Sequence, residues 1–322
     1  LGRLPREGHV VAGRLVTETG CLDARGLDAA TLARARDEVL ARADTPDPGA
    51  AAPDLAARLA AMFGPTLLDA ALRPACASLL GAAPEALAWN ATQARLPVRI
   101  VIADRAETER MQAIGFLGAR LAHPRAADAP GGSAPAYLYP RAGGIGAWVA
   151  AMETRLERAG VTVLTGTRIA ALRCAGSRIL GATLADGRDL GGDLVVLAAA
   201  PRALPLRGLP QVPEATMPVS ARLLVVEGGA PTGLDWIVSY DPATPFLRLG
   251  FPDRLEGRSP GAPWRIVAEL RESADDLAAA LERLGLTGGG VLRAEVPLGT
   301  GRFAVETVAA RAARDAALHA LG

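Results

Sequence analysis

The sequence predicts a mixed α/β protein in which a mainly helical first third and a strand-rich last third flank a middle segment of helix and short strands. Three observations predict it. Apolar residues recur at helical spacing through most of the first third, a glycine-rich turn opens a helix and a meander in the middle, and short strands separated by Gly, Pro and Asp dominate the last third.

The composition sets limits first. With 322 residues, 50% hydrophobic and 21% charged, the chain is long and apolar enough to bury a full core and has the length for two. Its 36 Gly and 24 Pro are dispersed, which excludes a low-complexity or collagen-like protein. A formal net charge of +1 excludes recruitment of nucleic acid or an anionic membrane by a global field. Every basic residue among the 35 is Arg, which reads as GC-rich bacterial coding bias. The apolar runs, such as 194–201, are far shorter than the roughly 20 residues of a membrane span, so no stable membrane insertion is expected. Cys21, Cys76 and Cys174 are far apart with no C-x-x-C pair, as expected of a reducing, cytoplasmic compartment. His9, His123 and His319 are equally scattered, so no metal centre is expected.

In chain order, residues 9–16 read as an extended stretch with Gly13 at a turn. Leu32, Ala35, Val39 and Leu40 define a helix over 28–43 with Asp28 or Thr31 as cap. Residues 45–53 form a Pro/Ala/Gly hinge. Asp54 then caps a helix burying Leu55, Leu59, Met62 and Phe63 until Gly64 stops it. A third helix over 66–80 carries Pro74 inside, so a kink is expected. Pro84 starts a short helical turn, and another helix is expected over 105–121. After a Pro/Gly-rich loop at 124–135 come a helix over 147–159, a short strand over 161–164, and a meander over 168–173, 178–185 and 188–190. Asp186-Gly187 is the strongest hairpin signal in the chain. Residues 193–199 read as a strand buried on both faces. Strands follow at 222–226, 236–240, 246–251 and 265–270, then a helix at 275–284, a strand at 291–296 and a helix at 305–321.

The run Tyr139-Pro140-Arg141-Ala142-Gly143-Gly144-Ile145-Gly146, the helix after it, Gly160-Val161-Thr162-Val163, Thr167-Arg168-Ile169, Asp186-Gly187-Arg188 and 194–201 together resemble the flavin-containing amine oxidase superfamily. The nearest branch is that of protoporphyrinogen oxidase-like and UDP-galactopyranose mutase-like members. Phe63-Gly64, Arg73-Pro74, Gly81 and Pro84-Glu85-Ala86-Leu87 resemble its helical stretch, and Trp236, Asp241-Pro242 and Phe246-Leu247-Arg248 its substrate-domain sheet. The resemblance covers roughly 55–305 and lies in order and spacing, since each piece alone is weak. It implies a glutathione-reductase-like FAD domain interleaved with a substrate domain. On this reading 1–135 is the helical substrate part, 136–205 belongs to the FAD domain, 206–300 is the substrate sheet and 301–322 a terminal helix. Two departures stand out. The opening strand and G-x-G-x-x-G turn that hold the FAD pyrophosphate are not found, nor is the closing Gly-rich segment, and Leu1 stands where an initiator Met is expected. The chain therefore reads as the interior of a longer enzyme. Gly299-Thr300-Gly301-Arg302-Phe303-Ala304 fits G-x-G-x-x-A, but no second strand or acidic residue follows at the right distance, so a sheet-to-helix connection is the better reading.

The resemblance assigns Gly143, Gly144, Ile145 and Gly146 to the isoalloxazine side of FAD, against the plainer reading of a tight turn. It assigns Arg168 and Ile169 to the adenine end, where an ordinary strand serves equally well. Ala199, Ala200 and Pro201 close the apolar run with small residues, which suits either cofactor approach or simple packing. Tyr240 and Arg248 are the residues the sheet offers to a polar or anionic substrate, although a strand Arg is more often solvated. Arg73 reads as a helix bridge, and Trp89, Trp148, Trp236 and Trp264 as core or rim. No nucleophile with an adjacent base stands out, and no catalytic residue is assigned; flavin chemistry needs neither, because the ring carries the redox step. The function implied is hydride transfer from a C–N or C–C bond of a small molecule to FAD. The alternatives are a mutase-type flavin isomerase acting on a sugar nucleotide and a non-catalytic homologue without FAD.

Overall fold

The structure is a computed structural model that describes residues 2–3, 6–91, 99–124, 137–140, 142–176, 178–196, 198, 215–229, 231–271 and 276–321. In chain order it contains β1 (Gly2–Arg3), β2 (Glu7–Val11), β3 (Arg14–Val16), β4 (Leu22–Asp23), α1 (Ala29–Leu40), α2 (Leu55–Phe63), α3 (Pro65–Leu67) and α4 (Arg73–Leu80). Then come β5 (Ile100–Val101), α5 (Arg105–Gln112), α6 (Leu117–Arg120), β6 (Tyr137–Leu138), α7 (Gly144–Arg158), β7 (Ile169–Ala175), β8 (Arg178–Leu184) and β9 (Asp189–Gly191). The last stretch holds β10 (Ala215–Glu227), β11 (Trp236–Ser239), β12 (Phe246–Gly250), α8 (Pro252–Glu256), β13 (Trp264–Arg271), α9 (Leu277–Arg283), β14 (Val291–Val305) and α10 (Val308–Leu321). The chain divides into a larger unit, Leu1–Ala147 with Glu214–Arg311, and a smaller one, Trp148–Pro213 with Ala312–Gly322.

The larger unit is organised by a seven-stranded sheet of order β14-β10-β13-β12-β11-β2-β3. All its pairs are antiparallel except β11 with β2, where Val238 faces His9 in a parallel ladder. Period-two alternation gives the sheet two different faces. One face presents Leu224, Ile237, Leu249, Ile266, Ala268 and Leu270, and Leu277 and Leu281 of α9 close over them. On the other face Val219 and Val238 pack against the helical core of Leu55, Leu59, Phe63, Leu67 and Leu72.

The helices begin where the sequence places their caps. Asp28 accepts from the Thr31 N–H to open α1, and Asp54 accepts from the Ala57 N–H to open α2. Each such cap contributes about 1 kcal/mol. Between α3 and α4 the chain makes a π-turn, Leu68–Leu72, immediately before Pro74. A proline ring collides with the carbonyl four residues back in a regular helix, and the wider turn moves that carbonyl away.

Four expectations are corrected. The helix over 105–121 breaks into α5 and α6, because Gly115 sits at φ +47° with its α-carbon so close to Ala43 that a Cβ would lie 2.4 Å from the Ala43 oxygen. Residues 161–164 make no ladder. The strand expected over 193–199 is absent over the described residues 193–196 and 198, and Leu194 and Val196 are 82% and 78% exposed, the reverse of a doubly buried strand. No strand pairs with this stretch among the described residues, and an apolar run without a ladder partner has no reason to stay extended and buried. Finally, the G-x-G-x-x-A match is neither a dinucleotide turn nor a sheet-to-helix connection. It lies inside β14, where Gly299 pairs with Ala221 and Gly301 with Val219.

The smaller unit contains most of α7 and the antiparallel meander β7-β8-β9. Asp186-Gly187 joins β8 to β9 as expected, with the Asp186 carboxylate accepting from the Arg188 N–H. Ala182 and Leu184 are buried there, whereas Trp148, Val149, Met152 and Leu156 of α7 are exposed. Among the described residues no helix is long and apolar enough to cross a membrane.

Candidate functional site

The second face of the seven-stranded sheet is only partly covered. The register aligns Leu223 and Val225 of β10 with Val267 and Arg265 of β13, and Ala221 with Glu269. On the next strands Gly250 lies opposite Val267, Arg248 opposite Glu269, and Val238 opposite Arg248. These residues share one face. The helical core closes over its Val219 and Val238 end, and the remainder, with Trp236, Leu223, Val225 and Val267, stays half-buried. The result is an apolar floor that crosses four strands, β10, β13, β12 and β11, with charges set into it.

The charges are paired. Arg248 donates to Glu269 across β12 and β13, with side chains 58% and 20% exposed. Arg265 donates from Nε to Asp253 Oδ1 at 2.7 Å and from Nη2 to Glu256 Oε2 at 2.8 Å. The other oxygen of Asp253 accepts from the Arg265 backbone N–H at 2.6 Å, so α8 is tied to β13. The two carboxylates raise the Arg265 pKa and hold the guanidinium charged. Glu256 Oε1 accepts from the Tyr139 hydroxyl at 3.1 Å. Burial, then the neighbouring Glu256 carboxylate, raises the Tyr139 pKa, so the phenol remains a donor.

This network ends at the first turn of α7. Gly143 and Gly144 adopt φ of +74° and +54°. A Cβ on Gly144 would lie 2.2 Å from Glu256 Oε1 and 3.4 Å from the Tyr139 hydroxyl, so the glycine permits a close approach by the protein's own side chains. The positive end of the helix is thereby matched by a carboxylate. Ile145 is 48% exposed, and nothing lies within 4 Å of a Cβ built on Gly146.

The sequence-derived site residues fall in different places. Gly143, Gly144, Ile145 and Gly146 and the floor residue Arg248 belong to the larger unit. Arg168, exposed, and Ile169, half-buried, start the meander of the smaller unit, where the Arg168 carbonyl accepts from the Ala185 N–H. Ala199, Ala200 and Pro201 lie outside the described residues. Tyr240 is 1% exposed, and its hydroxyl donates to the Gly20 carbonyl at 2.8 Å. Its hydroxyl is spent inside the helical core, with no opening onto the floor. Arg73 does bridge, between Asp69 and Glu85. Glu269, Glu256, Arg265 and Asp253 went unread, although the alternation Arg265-x-Val267-x-Glu269 already places two charges on one strand face.

Neither a protein-family model nor a curated protein sequence matches the chain. Solved structures do. Reduced UDP-galactopyranose mutase superposes with a TM-score of 0.60 at 16% identity, covering 94% of this chain and 66% of that one. A protein from Exiguobacterium sp. 255-15 assigned as a protoporphyrinogen oxidase superposes with a TM-score of 0.54 at 17% identity, covering 88% of this chain and 62% of that one. The chain thus spans less than two thirds of either, and at these identities the likeness establishes a shared fold.

Proposed function

We propose that this chain carries the substrate floor and part of the cofactor contact of an FAD-dependent oxidoreductase, which takes hydride from a C–N or C–C bond of a small organic molecule. The observation that carries the reading is the open sheet face, an apolar floor of Leu223, Val225, Val267 and Trp236 bordered by the Arg248–Glu269 and Arg265–Glu256 pairs. Such a surface suits a molecule with an apolar body and a few polar groups. The shared fold supports the cofactor class.

The first turn of α7 fits an uncharged ring edge and does not fit a phosphate. Glu256 already supplies a carboxylate at the helix end, so a second anion there meets like charge, whereas Ile145 and Gly146 leave an unobstructed surface for a flat group. When bound, a flavin ring supplies the hydride acceptor. The residues of this chain do the positioning. Arg248 offers its remaining N–H groups to a polar substituent, and the apolar floor excludes water beside it. Tyr139 keeps its proton on the bond to Glu256.

The charge balance favours the oxidoreductase over a mutase acting on a sugar nucleotide. Around the floor the two guanidiniums of Arg248 and Arg265 face three carboxylates, Glu269, Glu256 and Asp253. A diphosphate calls for unpaired cations, and neither Arg248 nor Arg265 is one. The test is the visible spectrum of the purified natural gene product before and after addition of FAD, followed by anaerobic exposure to a panel of amines and reduced ring systems. A flavin band that bleaches with a substrate is expected. A product that stays colourless after FAD overturns the proposal.

A further inference from the structure

Away from that face, a cavity of about 320 Å³ opens between the β2–β3 hairpin, the segment 23–27 and the π-turn before α4. Its interior is apolar, with Val11, Val16, Leu27, Ala70 and Ala71 among its walls. The volume lies at the lower end of small-molecule sites, which bury an apolar body and fix it with a few polar groups.

Three features indicate a built site. The first is charge: of the two guanidiniums on its wall, Arg25 is held by Asp23 at 2.7 Å and Glu18 at 2.8 Å. Arg14 makes no ion pair or hydrogen bond among the described residues, and its Nη1 lies over Gly26, 3.3 Å from where a Cβ would stand. The second is the wall itself. The π-turn places two small residues, Ala70 and Ala71, where a regular helix with larger side chains would close the space, and π-turns recur at functional sites. The third is a fixed rim. Ala12 is held in the left-handed region at φ +47°, a conformation rare for a residue with a Cβ, and the next amide, Gly13 N–H, donates to Asp241 Oδ2 at 2.6 Å. The hairpin is thus anchored from the far end of the sequence before any ligand arrives.

We infer that this cavity binds a small monocarboxylate with an aliphatic body, its carboxylate on the Arg14 guanidinium and its chain among Val11, Val16, Leu27 and the two alanines of the π-turn. A guanidinium fork matches a carboxylate in two parallel hydrogen bonds. The acids Asp23 and Glu18 share the wall, so the four charged groups sum to zero, which selects a monoanion over a phosphate dianion. This inference is independent of the flavin reading.

Octanoate, 1-octanol and inorganic phosphate are titrated calorimetrically into the whole chain and into R14Q and A70L. Arg14 is exposed and has no ion pair among the described residues, so R14Q keeps the wild-type urea midpoint. Saturable one-to-one binding of octanoate is expected, weakened about tenfold or more in R14Q, as loss of a charge-assisted pair requires. In R14Q octanol binding is unchanged, and in A70L both ligands are weakened. The inference is overturned if octanoate does not saturate, if R14Q binds it as well as the wild type, or if phosphate binds as tightly as octanoate.

Discussion

Replacing Gly144 with Ala tests whether the glycine-rich turn serves the protein's own network. At φ +54° a Cβ costs about 1–2 kcal/mol. The new methyl carbon would also stand 2.2 Å from Glu256 Oε1 and 2.8 Å from its Cδ, so the carboxylate must swing off the Tyr139 hydroxyl. A hydrogen bond to a buried charged acceptor contributes about 1.5–3 kcal/mol. Partial solvent access to Glu256 and the Asp253 carboxylate left on Arg265 discount that to about 1 kcal/mol. The sum is about 2–3 kcal/mol for Gly144→Ala. Glu256→Ala alone loses about 1 kcal/mol, and the double variant is no worse than Gly144→Ala, because the collision is gone and only the backbone cost and the missing carboxylate remain. Gly146→Ala is the internal control. Its Cβ meets nothing within 4 Å, so the better helix former gains up to about 1 kcal/mol. Urea unfolding followed by circular dichroism reads all four variants. If Gly144→Ala and Gly146→Ala move the midpoint in the same direction, or if the double variant loses the full sum of the singles, the reasoning fails.

Three further outcomes follow from buried groups. His9 lies in the core with Nδ1–H donated to the Thr19 carbonyl at 3.0 Å and Nε2 accepting from the Asp23 N–H at 3.3 Å, its ring against Tyr240 and its nearest charges Asp23 and Arg25. Burial lowers its pKa below the unfolded value of about 6.5. Its stabilisation is therefore whole above about pH 6.5 and is lost as pH falls from there through the folded value, so the stability gap between wild type and His9→Gln narrows on acidification; a gap independent of pH refutes this. Arg120 is 1% exposed and donates to the carbonyls of Arg42, Met62 and Thr45, so Arg120→Ala strands three acceptors and lowers unfolding free energy by about 3 kcal/mol, with a loss under about 0.5 kcal/mol counting against it. Burial pushes the Cys76 thiol pKa up to about 12 while Cys174 is exposed, so in a thiol-reagent assay Cys174→Ser removes the fast phase and Cys76 reacts only after unfolding.

Local rules made much of the fold legible. Asp28, Asp54 and Gly64 mark helix ends by hydrogen-bond chemistry that acts within three or four residues, and Asp186-Gly187 marks its hairpin for the same reason. Where the deciding partner is remote, the reading fails. Gly299 and Gly301 look like a phosphate turn in isolation, and only the ladder with β10 makes them strand. The break at Gly115 is enforced by Ala43, which approaches from α1's far side of the sequence. The apolar run at 194–196 has the composition of a buried strand but no ladder among the described residues. The candidate site divides the same way. The glycine turn and Arg248 are visible as motif and strand residue, whereas Glu256 and Glu269 acquire meaning only from the residues they meet across the sheet and at the start of α7.

The parallel pairing of β2 with β11 has a consequence for synthesis. The Arg6 amide donates to Asp235 at 2.7 Å across 229 residues, and the strand that follows it closes between β3 and β11. On the ribosome the β2–β3 hairpin emerges well before β11, so one of its edges waits for the residues between them to be made. At about 5–20 residues per second that interval lasts roughly ten seconds or more, during which an unpaired strand edge is open to other nascent chains. High contact order makes the final closure slow as well. Overexpression with slower induction or an added holdase chaperone, which shields this hairpin until β11 is made, is therefore expected to raise the soluble yield.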